Sequence, residues 1–465
     1  HKHKTKLVVY NYYVYSEIRR MKTFTFGGIH TADMKLSAGK KIQIVPIPSE
    51  VIIPLEQHIG APTNPVVAVG ETVKVGQLIG KAVGFISANI HSSVSGKVTK
   101  IDTVIDAWGY KRPAVYIAVE GDEWMENIDK KDVVCKEITT KREDIIQKIA
   151  DAGIVGLGGA CFPTHVKLSP PPNTKAELLL INAVECEPYL TCDHQLMLEK
   201  AEEIIVGIQI LMTVLQVNKA IIGIENNKKD AISLLQQITS SYSTIEVCPL
   251  AMCYPQGGEK QLIEAITKKQ VPSGQLPINI GIVVQNVATT YAIYEAVQKN
   301  KPLIERVITV TGKKVAKPGN FLVRIGTPLR VPLDMAGGMP EDTGKIIGGG
   351  PMMGRAFMNA DVPVTKRSAG LLVMPTLESA RKEMQNCIRC AKCVTACPMG
   401  LEPYLLMSQA EKSMWKEMEE TYITDCIECG CCLFSCPSNR PLLDYLRMGK
   451  STVLEQIRNR VQKVN

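Results

Sequence analysis

CIRCAKCVTACP at 387–398 and CIECGCCLFSCP at 426–437 are two copies of one spacing. Both read C-x2-C-x2-C-x3-C-P without a gap, the spacing by which Cys thiolates hold [4Fe–4S] clusters. Three thiolates at short intervals wrap one cluster as the backbone coils around it, and a fourth completes the coordination. In two-cluster chains the fourth Cys of each run ligates the other cluster. That rule predicts one cluster on Cys387, Cys390, Cys393 and Cys436, and a second on Cys426, Cys429, Cys432 and Cys397. Zinc ribbons use CxxC pairs and often His. Neither run contains His, which favours iron. Cys431, an extra thiol inside the second run, reads as a packing residue beside the cluster.

The rest of the composition agrees. Nine of the 15 Cys fall within 387–436 and the total is odd, which points to a reducing compartment and metal binding rather than disulfides. The default for Cys135, Cys161, Cys186, Cys192, Cys248 and Cys253 is a buried structural thiol. A chain of 465 residues has room for three or four domains, and 45% hydrophobic with 22% charged residues is the composition of soluble globular proteins. No apolar run is long enough for a membrane-spanning helix; the most apolar stretch, 204–215, is broken by Gly207, Gln209 and Thr213. The formal charge is +8, and no basic stripe with interleaved aromatics exists, so nucleic acid is not an expected partner. Residues 1–20 carry +4 of that charge, lack an initiator Met and precede Met21; they read as a tail or a misassigned start, without the pattern of a signal peptide.

Working back from the cysteines, the chain reads as a multidomain α/β protein. Residues 366–465 are expected to be a helical domain holding the two clusters, with LESARKEMQ leading into the first run as a helix. Residues 301–365 are β-rich and Gly-rich, which predicts a small β domain. In 131–300, buried strands at 176–183 and 219–224 alternate with helices at 199–215 and 228–239, which predicts an α/β domain with a mostly parallel sheet. In 21–130, short alternating strands punctuated by Gly predict a barrel-sandwich domain like those of biotin and lipoyl carriers. Its hairpin tip at 87–90 has no Lys to carry a prosthetic group, so a packing or docking module is the better reading.

Two further segments bear on chemistry. GLGGACFPT at 156–164, with Lys167 close behind, is a Gly-rich loop whose N–H groups could approach a phosphate. LLLINAVECEP at 178–188 ends in Asn182, Glu185 and Glu187, at the strand end where open α/β sheets bind ligands. Either segment alone is equally read as structural glycine or a solvated acidic loop.

Together they carry a resemblance. GLGGACFPTHVK and NAVECEP resemble GRGGAGFPTGLK and NADEGEP of the flavin-carrying NADH-dehydrogenase subunit of respiratory complex I; Tyr254 to Glu259 resembles its Y-x-x-G-E-E, and Gln285 to Thr289 its N-N-V-E-T. The order of domains, and the opening Thr25-Phe26-Gly27-Gly28-Ile29-His30, are closer still to the RnfC family of the Rnf ion-translocating electron-transport complex. The resemblance spans 21–446. It implies a barrel-sandwich domain, an FMN-binding Rossmann-like α/β domain, a β-grasp domain and a ferredoxin-like domain with two [4Fe–4S] clusters. It further implies that Gly156, Gly158 and Lys167 meet the FMN phosphate and ribityl chain. By the same likeness Asn182, Glu185, Asn286 and Thr289 hydrogen-bond FMN and Tyr254 lies near the flavin, while Phe162 stacks on NADH and Glu187 contacts it. The implied setting is the cytoplasmic face of a bacterial inner membrane, docked on membrane subunits and a ferredoxin-like carrier, in ion-coupled electron exchange between ferredoxin and NAD(H). Two positions depart from the pattern: Val184 replaces the family's Asp and Gly258 replaces its first Glu. Val184 supports a rival, a plain electron relay with a vestigial flavin site.

Overall fold

Strands Leu178–Asn182, Ala220–Glu225, Ile245–Leu250 and Ile282–Asn286 form the central sheet, in spatial order Ile245–Leu250, Ala220–Glu225, Leu178–Asn182, Ile282–Asn286, with every pair parallel. The computed structural model describes residues 21–106 and 109–464, so the tail read at 1–20 lies outside the described residues. The strands are continuous Ile, Leu and Val because both faces are covered, as a parallel sheet requires. Helix Ala201–Leu215 buries ten of its 15 residues, and each fully buried Ile or Leu contributes about 1.5–3 kcal/mol. The helix expected at 199–215 arrives as two, Cys192–Glu199 and Ala201–Leu215, because the chain turns out of helical geometry at Lys200 (φ −130°, ψ 33°).

Chain order makes this sheet a site-former. From Leu178–Asn182 the chain first moves to one side, to Ala220–Glu225, and later returns to the other, to Ile282–Asn286. Connections from the two sides diverge at the C-terminal ends of Leu178–Asn182 and Ile282–Asn286, where doubly wound sheets open a ligand crevice. Asn182 and Asn286 are register partners at that opening.

The N-terminal barrel sandwich pairs a four-stranded sheet (Glu50–Pro54, Lys111–Val119, Gly96–Ile105, Thr72–Val73) with a three-stranded one (Asn64–Pro65, Leu78–Lys81, Ile90–His91). Its hairpin tip is packed: Ser87, Ala88 and Ile90 are buried, and Lys366 donates to Asn89 O and Gly153 O at 2.7 Å each. A third body is a six-stranded sheet from Glu305–Thr311 to Gly370–Pro375. Its edge strand comes from far away in sequence: Ile42–Ile44 pairs in parallel with Gly319–Arg324.

The cysteine domain departs from expectation at its entry. LESARKEMQ forms only the single turn Thr376–Ser379; the chain from 381 to 390 is exposed and non-helical. Its backbone is engaged from the other run instead, with Gln385 N donating to Ser438 O (2.9 Å) and Asn439 Nδ2 to Glu383 O (3.2 Å). Helix Leu442–Val464 closes the domain over Leu406, Met407, Met418 and Ile423 through Leu442, Leu446 and Val453.

Candidate flavin and iron–sulfur sites

The two cysteine runs interlock. Cys397, the last of the first run, shares one cavity of about 320 Å³ with Cys426, Cys429 and Cys432 of the second. The other walls are apolar: Leu401, Ile427, Leu443 and Leu446. Four thiols converging on a dry cavity of this kind match the donor set of a [4Fe–4S] cluster. Cys393 lies beside Cys436, while Cys387 and Cys390 are exposed. The first set therefore sits at the surface and the second is enclosed. Cys431 turns from the cavity, its thiol facing Tyr254 O at 3.8 Å.

The glycine loop closes on itself through Gly156 N to Phe162 O (2.9 Å). A Cβ on Gly159 would meet nothing within 4 Å, and one on Gly156 only the Phe162 backbone at 3.7 Å, so this face is open for close approach. Gly158 faces the other way: a Cβ there would lie 2.8 Å from Asn286 Nδ2. Asn286 caps helix Val287–Lys299, its Oδ1 accepting from Ala288 N (2.9 Å) and Thr289 N (3.2 Å). Thr289 Oγ1 accepts from Leu157 N at 2.8 Å. The loop thus rides on the N-terminus of a 13-residue helix, where a phosphate is favoured. The open glycine face, this helix end and the Lys167 ammonium fit the phosphate-bearing part of FMN.

The remaining expected residues fall around the same opening. Lys167 Nζ pairs with Glu259 Oε1 at 2.6 Å. Asn182 donates to Gly257 O (2.8 Å), and Glu185 accepts from Asp193 N (2.7 Å) and His194 N (3.3 Å). Phe162 is half-buried on the loop. Two others are turned toward the cysteine domain. Tyr254, buried, donates its hydroxyl to Cys429 O at 2.8 Å. Both oxygens of Glu187 are taken by backbone N–H groups, Met352 N at 3.1 Å and Met353 N at 2.6 Å. The carboxylate expected on NADH is engaged within the protein, and burial pushes it up to about 7. Val184 points into the core with Leu180, Leu250 and Leu262, so the family's missing Asp is replaced here by packing.

Sequence reading missed the residues that hold these loops. Lys35 Nζ donates to Glu185 O (2.9 Å), Glu187 O (3.0 Å) and Leu190 O (2.6 Å), using all three of its protons on one loop. That loop needs fixing, because Glu185 and Tyr189 adopt positive φ (46° and 72°) without being Gly. Lys228, 1% exposed, holds Val184 O at 2.7 Å, and Arg306 donates to Leu157 O at 3.3 Å. No local motif marks a lone Lys or Arg whose partner lies over 100 residues away. The Gly27-Gly28 pair did carry a signal. Gly27 (φ 72°) lies against the Cys397–Pro398 backbone, where a Cβ would sit 2.5 Å from Cys397 O. Next to it, Gly28 N donates to Ala396 O and Ile29 N to Tyr254 O.

A flavin-type loop on a parallel sheet, strapped to a two-run cysteine domain, defines a flavin-linked iron–sulfur electron-transfer protein. Comparison with known proteins agrees. The chain matches the family models of the RnfC barrel sandwich hybrid domain (23–122), the Nuo51 FMN-binding domain (149–295), the SLBB domain (307–356) and the 4Fe-4S dicluster domain (379–437). It is 46% identical over 434 residues to the RnfC-type component of the proton-translocating ferredoxin:NAD(+) oxidoreductase complex of Clostridium ljungdahlii, covering 93% of this chain and 94% of that one. It is 43% identical over 441 residues to the counterpart in the Na(+)-translocating complex of Acetobacterium woodii, covering 93% and 97%. The chain belongs to the RnfC family of ion-translocating oxidoreductase complexes.

Proposed function

We propose that this chain exchanges electrons between NAD(H), through FMN, and two [4Fe–4S] clusters, as one component of an ion-coupled ferredoxin:NAD+ oxidoreductase. A hydride carries two electrons and a cluster moves one; FMN supplies the chemistry that converts between them. The protein's part is to bind, orient and insulate. On this reading Gly156, Gly158, Lys167, Asn182, Glu185, Asn286 and Thr289 hold FMN, and Phe162 covers the nicotinamide side. The first cluster takes Cys387, Cys390, Cys393 and Cys436; the second takes Cys426, Cys429, Cys432 and Cys397. The domains divide near 130, 300 and 365, the third being a β-grasp.

The observation that carries this reading is the joint between the domains. Tyr254, from the loop after Ile245–Leu250, bonds Cys429 of the enclosed cysteine set. The enclosed cluster is then the inner one, next to the flavin domain, and the set with exposed Cys387 and Cys390 is the outer one. Exposed Lys382, Arg389 and Lys392 lie in the same segment. A basic rim around an exposed cluster favours an acidic one-electron carrier, in keeping with a ferredoxin-like partner. Among the described residues no helix is long and apolar enough to cross a membrane, so any pumping belongs to other subunits, on which the chain would dock from the cytoplasmic face.

The test is an anaerobic NADH titration of the full chain loaded with FMN, iron and sulfide, followed by visible spectra and EPR. Bleaching of a flavin band and then two reduced-cluster signals is the expected result. Clusters that dithionite reduces and NADH does not, with no FMN bound, would establish the relay reading instead. The core position of Val184 takes away the residue that motivated it.

A further inference from the structure

Beside the glycine loop lies a group of side chains that the proposed function leaves unused. Glu185, Cys192 and Asp193 bring their ligand-type atoms within 4.8 Å of one another. Both carboxylates already have partners, which argues for a hydrogen-bond device. Glu185 accepts from the N-terminus of helix Cys192–Glu199, at Asp193 N and His194 N. Asp193 Oδ2 accepts from Asn286 Nδ2 at 2.8 Å. Asn286 spends its Oδ1 on the cap of Val287–Lys299 and presses its side chain against Gly158. An Asn amide has one oxygen and one NH2 group. With the oxygen fixed by the cap, only an acceptor can fix the NH2 side, and Asp193 is that acceptor.

We propose that Asp193 is a positioning residue of the flavin site, holding the Asn286 amide, and through it Gly158 and the glycine loop, in the FMN-binding arrangement only while its carboxylate is ionised. The inference rests on the FMN reading above. Its physical basis is that an ionised carboxylate accepts a stronger hydrogen bond than a protonated one. The groups facing Asp193 are Glu185 on the preceding loop, Asn286 at the strand end, Arg306 on Glu305–Thr311, Lys228 ahead of Lys229–Thr239, and Cys192 beside it. Burial, then the Glu185 charge, push Asp193 up to about 6, while Asn286, Arg306 and Lys228 pull it down. The switch therefore falls inside a workable pH range. The sign is that FMN binds more weakly as pH drops through about 6.

The experiment is FMN affinity of the full chain, read by quenching of flavin fluorescence between pH 5 and 8, for the wild type, Asp193→Asn and Asp193→Glu. The wild type should lose about tenfold in affinity across this range. Asp193→Asn, which keeps the volume and loses the titration, should be weaker than wild type at pH 8 and flat across the range. Asp193→Glu should restore the pH step if it folds. Circular dichroism and cluster absorbance should be unchanged in Asp193→Asn. A pH step of the same size in Asp193→Asn, or no step in the wild type that binds FMN, overturns the inference and leaves the FMN reading standing. No FMN bound by the wild type at any pH overturns both.

Discussion

The two cysteine runs share one spacing and live in different surroundings. The first begins in an exposed, non-helical segment with Cys387 and Cys390 at the surface. Three Cys of the second run line an enclosed apolar cavity with Cys397, roofed by the Tyr254 loop and by helix Leu442–Val464. The lesson is that spacing specifies ligation, whereas burial decides which cluster faces the flavin and which faces a partner. An enclosed cluster next to the flavin domain is insulated from solvent, and an exposed one can be reached from outside.

The largest effect that tests this contrast is Cys397→Ser. Cys397 lies in the first run by sequence and in the second run's cavity by structure. The expected outcome in EPR of the reconstituted chain is loss of the enclosed cluster with the exposed one retained. Loss of the exposed cluster instead would break the crossed arrangement.

Next is Gly27→Val. The added side chain meets the Cys397–Pro398 backbone, which cannot yield as a flexible side chain could. It should lower iron content at the enclosed site and uncouple NADH from both clusters. Gly39→Ala is the matched control, with a similar φ of 71° and nothing within 4 Å of its Cβ; it should cost about 1–2 kcal/mol of stability and no iron.

A smaller effect sharpens the buried side of the comparison. Glu187 anchors the 352–353 backbone, and Met352 O in turn lies against Gly430 of the inner run. Burial pushes the Glu187 carboxyl up to about 7, so the fold favours its protonated form. Its contribution to stability is present below the unfolded carboxyl pKa of about 4.3 and is lost as pH rises through about 7. Glu187→Gln should flatten that loss, worth at most about 3 kcal/mol between pH 4 and 8, in urea melts compared across pH.

The smallest tests the exposed side. Reversing Lys382, Arg389 and Lys392 to Glu should slow electron exchange with an acidic carrier about tenfold at low salt, an effect that fades near 1 M salt. Reduction of the chain's own clusters by NADH should not change in stopped-flow traces.

Local pattern and tertiary arrangement divide the explanation unevenly. The parallel sheet was legible because buried strands of this kind are unbroken runs of Ile, Leu and Val between amphipathic helices. Gly156, Gly158, Asn182, Asn286 and Thr289 were legible because a backbone loop on a helix N-terminus needs glycine and caps at fixed places. LESARKEMQ was misread because its periodicity is helical, whereas the chain there bonds Ser438 and Asn439 across the fold.

By itself, then, the sequence determined the number and type of clusters, the sheet that carries the flavin loop and the order of the domains, since each rests on residue types at short, fixed spacing. Only the tertiary structure decided that Ile42–Ile44 completes a sheet more than 270 residues on, that Lys35 clasps the loop bearing Glu185, and that Tyr254 meets Cys429. Those contacts join segments far apart in the chain, and a buried ammonium or hydroxyl announces its partner only when the partner's carbonyl is brought beside it.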